Sequence, residues 1–419
     1  MDEAGSTEER GAAEAKLDLA FVVLHTSPLD EPGTKDAGGM NVVVRAQAEQ
    51  LAALGHRVRI ITRRTHAAQQ AEHEWTPGVV VRHLDAGPAR LLAKGEHEAL
   101  IGSFGAALRE QLGEDPADLI HAEHWYSGLA ALPAARSLGV PLVQSYHSIA
   151  AGDDTPLEAG ERPEAPGRLA GERRLAHEAD LVVTVSEAEK STVLQRLGGD
   201  PDRVRVVPPG VDTRVFRPCT EGERQDRAAR IARGGLPEVL VAGRLHPLKG
   251  FDLAIAALAE LPDERRPALR IVGDSPPDGD DYASLLHDAV AAAGMLGTTS
   301  FDGALRRSEL AERLRRAALV LIPSHSETFG LVALEAAASG VPVVARATGG
   351  LCEAVDDGAT GLLLDGEDPA DWAAAIERLL GDPALAERMG REGRRRALER
   401  SWRVSTDTLV AVYRELLRR

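Results

Sequence analysis

Short apolar runs alternate along this chain with stretches in which apolar residues recur at helical spacing. In the first half the runs are Leu19–Leu24, Arg57–Thr62, Val79–His83, Leu119–His121, Pro141–Tyr146, Leu181–Val185 and Val204–Val207. Helical patterns such as Val42–Leu54 and Phe104–Leu112 lie between many of them. The second half repeats the alternation with Val239–Val241, Leu269–Val272, Thr299–Phe301, Leu319–Ile322, Pro342–Ala345 and Gly361–Leu364. Strands separated by helices predict a mainly parallel sheet covered on both faces. Because the pattern occurs twice, the expected fold is α/β, with two doubly wound, Rossmann-like units facing across a cleft. Ligands in such sheets bind at the C-terminal ends of the strands.

The same pattern divides the chain. Residues 1–16 are polar and Ala-rich and read as a disordered tail. The first unit spans 17–205, the second 206–399, and a helical segment covers 400–419. The connection between units runs through Val206-Val207-Pro208-Pro209-Gly210-Val211-Asp212 and the polar Thr220–Arg227. A length of 419 residues agrees with two domains rather than one.

Composition narrows the function classes. A formal net charge of -16 and an aromatic content of 3% argue against nucleic acid and anionic membranes. No apolar run reaches the length of a membrane span. Cys219 and Cys352 are isolated and match no metal spacing, as suits a reducing cytoplasm.

Four segments carry candidate chemistry. His25-Thr26-Ser27-Pro28 and Asp36-Ala37-Gly38-Gly39-Met40-Asn41 lie between a strand and a helix. Paired glycines there let the backbone approach a ligand, and the helix start favours phosphate; an ordinary βα turn is the plainer reading. Gly243-Arg244-Leu245-His246-Pro247-Leu248-Lys249 follows the first strand of the second unit. Arg244 and Lys249 at a cleft would neutralise a departing diphosphate; otherwise they are solvated cations at a turn. Glu327-Thr328-Phe329-Gly330-Leu331-Val332-Ala333-Leu334-Glu335 follows the strand Leu319–Ile322. Acids at this spacing lie roughly two turns apart on one helix face, with Glu327 at the helix mouth. Phosphates at the helix start and carboxylates on sugar and ribose hydroxyls suit such an element; exposed helical acids are the alternative. His147 ends the strand Pro141–Tyr146 and is either a hydroxyl-binding or a structural histidine. A zinc reading of His121 and His124 is disfavoured, since alternate strand residues face opposite ways. The acidic segment Asp153–Pro166 reads as a surface loop, or a lid over the cleft.

From about Leu17 onward these motifs, with Pro209-Gly210-Val211-Asp212 and Phe216, resemble the retaining glycosyltransferases of GT-B fold. The His25–Pro28 and Asp36–Val42 elements are narrower. They resemble the mycothiol-pathway D-inositol-3-phosphate N-acetylglucosaminyltransferases and relatives like sucrose-phosphate synthase. The resemblance implies that Arg244 and Lys249 hold the donor diphosphate, with backbone amides around Phe329, Gly330, Leu331 and Val332. It implies that Glu335 binds the ribose, Glu327 the transferred sugar, Gly39 the diphosphate, and the Gly303–Arg306 loop, including Arg306, the base through its backbone groups. His147 would lie beside the sugar. Asn41, Lys94, His124, Ser148 and Arg168 would bind the acceptor, and the helix after Trp402 would cross back to the first unit. The family's acceptor phosphate is cradled by a lysine, a tyrosine, a threonine and an arginine. Lys94 and Arg168 match the cations, Ser148 stands for threonine and His124 for tyrosine. Ala150-Ala151-Gly152-Asp153 and Asp154 replace the family's usual Ala-Val-Lys-Asn.

The implied reaction moves a sugar, N-acetylglucosamine from UDP-N-acetylglucosamine in the first instance, to a small polar acceptor such as 1L-myo-inositol 1-phosphate. No metal is required, and a homodimer is expected from the family. The alternatives are transfer to another acceptor in antibiotic or small-thiol biosynthesis, with a GDP-sugar donor open; a nucleotide-sugar 2-epimerase on the same fold; and a binder without turnover.

Overall fold

The computed structural model describes residues 15–31, 37–275 and 282–419. Most of the expected tail, 1–14, and Asp36 lie outside the described residues. The first domain contains β1 (Asp18–Val23), α1 (Gly39–Ala53), β2 (Arg57–Arg63), β3 (Glu72–Thr76), β4 (Val79–Leu84), α2 (Ile101–Glu114) and β5 (Leu119–Glu123). It continues with α3 (His124–Leu138), β6 (Leu142–Ser145), α4 (Arg168–Glu178), β7 (Leu181–Thr184), α5 (Glu187–Gln195) and β8 (Val204–Val206). Its sheet runs in the order β3-β4-β2-β1-β5-β6-β7-β8. Every pairing is parallel except that of β3 with β4.

β3 is absent from the sequence reading, and its composition explains why. Glu72-His73-Glu74-Trp75-Thr76 carries no apolar run. It is an edge strand held to β4 through a turn at Pro77-Gly78, and charge on an edge protects it from pairing with other chains.

The second domain contains α6 (Glu221–Ala232), β9 (Glu238–Ala242), α7 (Phe251–Ala259), β10 (Ala268–Val272), α8 (Tyr282–Ala292), β11 (Thr299–Phe301) and α9 (Arg307–Arg316). β12 (Leu319–Ile322), α10 (Leu331–Ala338), β13 (Val343–Arg346), α11 (Leu351–Ala354), β14 (Gly361–Leu364), α12 (Pro369–Gly381) and α13 (Pro383–Glu399) complete it. Its parallel sheet runs β11-β10-β9-β12-β13-β14. The central strands are buried on both faces, which is why they read as unbroken apolar runs.

α14 (Trp402–Leu417) lies on the first domain, where Leu409, Val410, Val412, Tyr413 and Leu416 pack with Phe21, Val44, Ala48 and Leu51. Burying each such side chain contributes about 1.5–3 kcal/mol. The two passages between domains touch: Val211 forms a bridge with Ser401, and its N–H donates to the Arg400 carbonyl at 2.9 Å. Gly210 permits this approach, since a Cβ there would stand 2.3 Å from the Trp402 nitrogen.

Candidate active site in the interdomain cleft

The strands β1, β5 and β6 of one sheet and β9 and β12 of the other end on a common cleft. It has a volume of about 330 Å³ and is walled by both domains. From the first domain come the turn before α1, Lys94, and the segment after β6; from the second come the turn after β9 and the loop before α10.

Lys249 and Glu327, distant in sequence, meet here at 2.7 Å. Glu327 does not stand on the helix, contrary to the spacing argument. The helix begins at Leu331, because its N-cap Gly330 adopts a left-handed conformation (φ 94°) that bends the chain just before it. Glu327 therefore sits in the approach loop, its carbonyl accepting from the Gly350 N–H at 2.9 Å. Only Glu335 is helical. It is 3% exposed, and burial raises its pKa against the opposing effect of Arg307, 2.7 Å away. The first amides of α10 have no intrahelical carbonyls to bond. Arg244 crosses toward the first domain, its Nε 3.9 Å from where a Gly38 side chain would begin. Gly39 faces Leu331 across the cleft, and Phe329, Leu331 and Val332 line it.

The Arg306 side chain points away from the cleft, which leaves its backbone as the part of it that could meet a base. That side chain is 70% exposed and pairs with Glu309 at 2.6 Å, capping α9. The neighbouring Arg307 turns inward, stacking on Phe216 with its guanidinium carbon 4.8 Å from the ring centroid. One step along a helix start rotates a side chain about 100°, which separates solvent from cleft. Of the preceding loop, Ala304 and Leu305 line the wall.

On the first-domain side, Asn41 lines the cleft, but its amide is engaged in fixing the turn. It donates to the Thr26 hydroxyl (3.2 Å) and the Ser27 carbonyl (2.8 Å), and accepts from the Gly38 N–H (3.0 Å). His147 has a left-handed backbone (φ 61°), and its Nε2 meets the buried Glu123 carboxylate at 2.5 Å. Burial opposes protonation of His147, yet the Glu123 charge prevails and raises its pKa. His124, at φ 72°, begins α3 and lies 4.4 Å from the His25 ring, centroid to centroid. Burial, reinforced by neighbouring positive charge, lowers the pKa of both rings well below the usual histidine value, so both are neutral at pH 7.

The cradle of Lys94, Ser148 and Arg168 assembles, and it holds Glu161. The Glu161 carboxylate accepts from Lys94 (2.9 Å), Ser148 (2.9 Å) and Arg168 (3.2 Å). Sequence reasoning missed Glu161, because the acidic, Pro-containing 153–166 segment resembles a solvated loop. Asp153 and Asp154 do face solvent. The backbone bridge between Ala150 and Glu161 holds the segment where this carboxylate turns inward, as does that of Glu164. Glu123 and Arg307 were likewise missed, although Glu123 had a signal in standing between two histidines on a strand end.

A separate trio, Glu158, His325 and Glu367, gathers around Arg346. Arg346 donates to all three, so a guanidinium already satisfies the groups a cation would need.

Known proteins match this arrangement closely. Residues 223–396 match the family described as glycosyl transferases group 1, and residues 37–215 match glycosyltransferase family 4. The D-inositol 3-phosphate glycosyltransferase of Kineococcus radiotolerans is 42% identical over 416 residues, covering 94% of this chain and 94% of its own. That of Frankia alni is 40% identical over 402 residues, covering 94% and 98%. Among solved structures, sucrose-phosphate synthase from Thermosynechococcus elongatus superposes with a TM-score of 0.85 at 30% identity, covering 96% of this chain and 99% of that one. Anabaena HepE, solved with UDP and glucose, shares the fold with a TM-score of 0.72 at 21% identity, covering 94% and 98%. Two sheets with a cleft at their strand ends, and relatives aligned over nearly their whole length, leave one assignment: the chain belongs to the group 1 glycosyltransferases, enzymes of the GT-B fold.

Proposed function

We infer that the enzyme moves a sugar from a nucleotide diphosphate sugar to a hydroxyl of a small cyclitol-type acceptor, with retention at the anomeric carbon. UDP-N-acetylglucosamine is the donor of choice, and the relatives' substrate, D-inositol 3-phosphate, is the reference for the acceptor class. The observation that carries the reading is the meeting of Lys249 and Glu327 beside Arg244, at the start of α10. Two cations and a helix N-terminus suit a diphosphate whose charge grows as it leaves.

In this reading Arg244 and Lys249 neutralise the departing diphosphate. Glu327 orients Lys249 and takes a sugar hydroxyl, while Glu335 accepts from the ribose. The acceptor hydroxyl attacks from the face the diphosphate leaves. The bond from the anomeric carbon to the diphosphate oxygen breaks, the bond to the acceptor oxygen forms, and the acceptor proton passes to the diphosphate. His147, fixed by Glu123, stands beside the sugar. Closing the cleft excludes water and limits hydrolysis of the donor.

The test is incubation with UDP-N-acetylglucosamine and an inositol-based acceptor panel, read by mass spectrometry and by proton NMR of the product. A mixed product with the α-anomeric coupling of the donor is expected. A β-linked product would refute retention, and a donor altered at C2 without any acceptor would move the enzyme to the epimerases.

A further inference from the structure

The acceptor side of the cleft contains an anion of its own. Lys94 and Arg168 are the two cations that the resemblance assigns to an acceptor phosphate, and Ser148 supplies the hydroxyl. All three bond the Glu161 carboxylate, which also lies 3.7 Å from Arg244. Arg168 is surrounded further. It pairs with Glu164 and, at 2.8 Å, with Glu172, and its own side chain is fully buried. The two cradle cations thus already face three carboxylates, with Arg244 beside one of them, before any ligand arrives.

Glu161 is not a loose arm folded into an empty site. Its carbonyl accepts from the Ala151 N–H at 2.8 Å, in the bridge that pairs it with Ala150, and its side chain is 15% exposed. Burial opposes its ionisation, but Lys94, Arg168 and Arg244 hold its pKa well below the usual carboxylate range, so it is charged. A phosphate brought to the cradle would meet this fixed negative charge in a site of reduced dielectric.

A second, independent observation concerns His124, 3% exposed and on the cleft wall. Among the described residues, neither of its ring nitrogens has a hydrogen-bond partner. A neutral imidazole offers one donor and one acceptor, which fits a hydroxyl or amine and brings no charge to a phosphate.

We propose that Glu161 determines acceptor specificity by occupying the phosphate's place, so that the enzyme glycosylates an unphosphorylated polyol. Such an acceptor, a cyclitol or sugar bearing hydroxyls or a protonated amine, donates to the Glu161 carboxylate and bonds His124. The proposal rests on the glycosyl-transfer reading above.

The test compares binding of 1L-myo-inositol 1-phosphate to the wild type, Glu161→Ala and Glu161→Gln by calorimetry, each saturated with UDP. Binding of UDP to the wild type is measured first; its absence would fail the transferase reading itself and is thereby distinguished. With UDP bound, Glu161→Ala should bind the inositol phosphate at least about tenfold more tightly than the wild type, and Glu161→Gln should lie between. Thermal melts of the UDP complexes identify a variant that fails to fold, in which case the other variant decides. In parallel, wild-type transfer is assayed on myo-inositol and on its phosphate. Inositol phosphate binding as tight in the wild type as in the folded variants, or efficient wild-type transfer to the phosphate, would overturn the proposal, because Glu161 would then be a group the phosphate displaces.

Discussion

The Lys249 ammonium lies 2.7 Å from the Glu327 carboxylate, joining the turn after β9 to the loop before α10. Both side chains keep access to the cleft, at 26% and 19% exposure, so their pairing contributes little to folding. Lys249→Ala should therefore lower kcat about a hundredfold or more, the scale set by losing one group that stabilises developing charge. Its melting temperature should stay within about 2 °C of the wild type. Steady-state kinetics and thermal melts on the same preparation check both; transfer at the normal rate would remove Lys249 from the reaction.

Glu335 and Arg307 make a different kind of pair, since the carboxylate is buried. Glu335→Gln keeps the shape and removes the charge. The expected result is a donor KM raised about tenfold, the loss of one charge-assisted hydrogen bond, with a smaller change in kcat. An unchanged KM would show that the ribose lies elsewhere.

Glu189 gives a pH signature. Beneath the segment after β6, burial pushes its carboxyl up to about 7, although the Val185 N–H donates to it at 2.7 Å. A raised carboxyl pKa means that the folded protein holds the proton longer than the unfolded chain. Stability is then lost as pH rises from the unfolded value, about 4.3, to about 7, by on the order of 3 kcal/mol. Glu189→Gln removes that loss, so the variant should melt higher than the wild type at pH 8 and gain less at pH 5. A gain independent of pH would contradict this account.

The contact of α14 with the first sheet depends on a tautomer. The Ser145 hydroxyl donates to the Val183 carbonyl, so it accepts from Nε2–H of His121. Burial lowers the pKa of His121 and favours the neutral ring, leaving Nδ1 to accept from the Tyr413 hydroxyl at 2.6 Å. Tyr413→Phe strands that nitrogen, and denaturant unfolding should show a loss of about 1–3 kcal/mol. No measurable loss would indicate that the ring finds another donor.

Gly210→Ala tests the join between the passages. With 2.3 Å to the Trp402 nitrogen, the backbones must part, at a cost of about 1–3 kcal/mol in stability. Chemical denaturation checks this; an alanine tolerated without loss would show that the passages separate freely.

How much was legible in the sequence follows from burial. Central strands such as Leu319–Ile322 are covered on both sides and must be apolar throughout, so they are readable. β3 has no such constraint and went unread. The place of Arg244 and Lys249 at the cleft was legible because their turn follows a strand directly. The positions of Glu327 and Arg307 were not, since each depends on where a helix starts within one or two residues, and boundaries are the least readable part of a pattern. Glu161 was hidden for another reason. The acids that precede it in the segment, Asp153, Asp154 and Glu158, are exposed, and the pairing with Ala150 sets Glu161 apart from them.

The bond between Val211 and Arg400 has one more consequence. Two peptide segments that cross between bodies at separate points resist rotation, whereas two fastened side by side at one point serve as a single pivot. A relative turn of the two domains would centre on that point, and displacement would grow with distance from it. Contacts that bridge the domains, such as the Thr328 hydroxyl on the His147 carbonyl at 2.9 Å, are the ones such a turn would have to break.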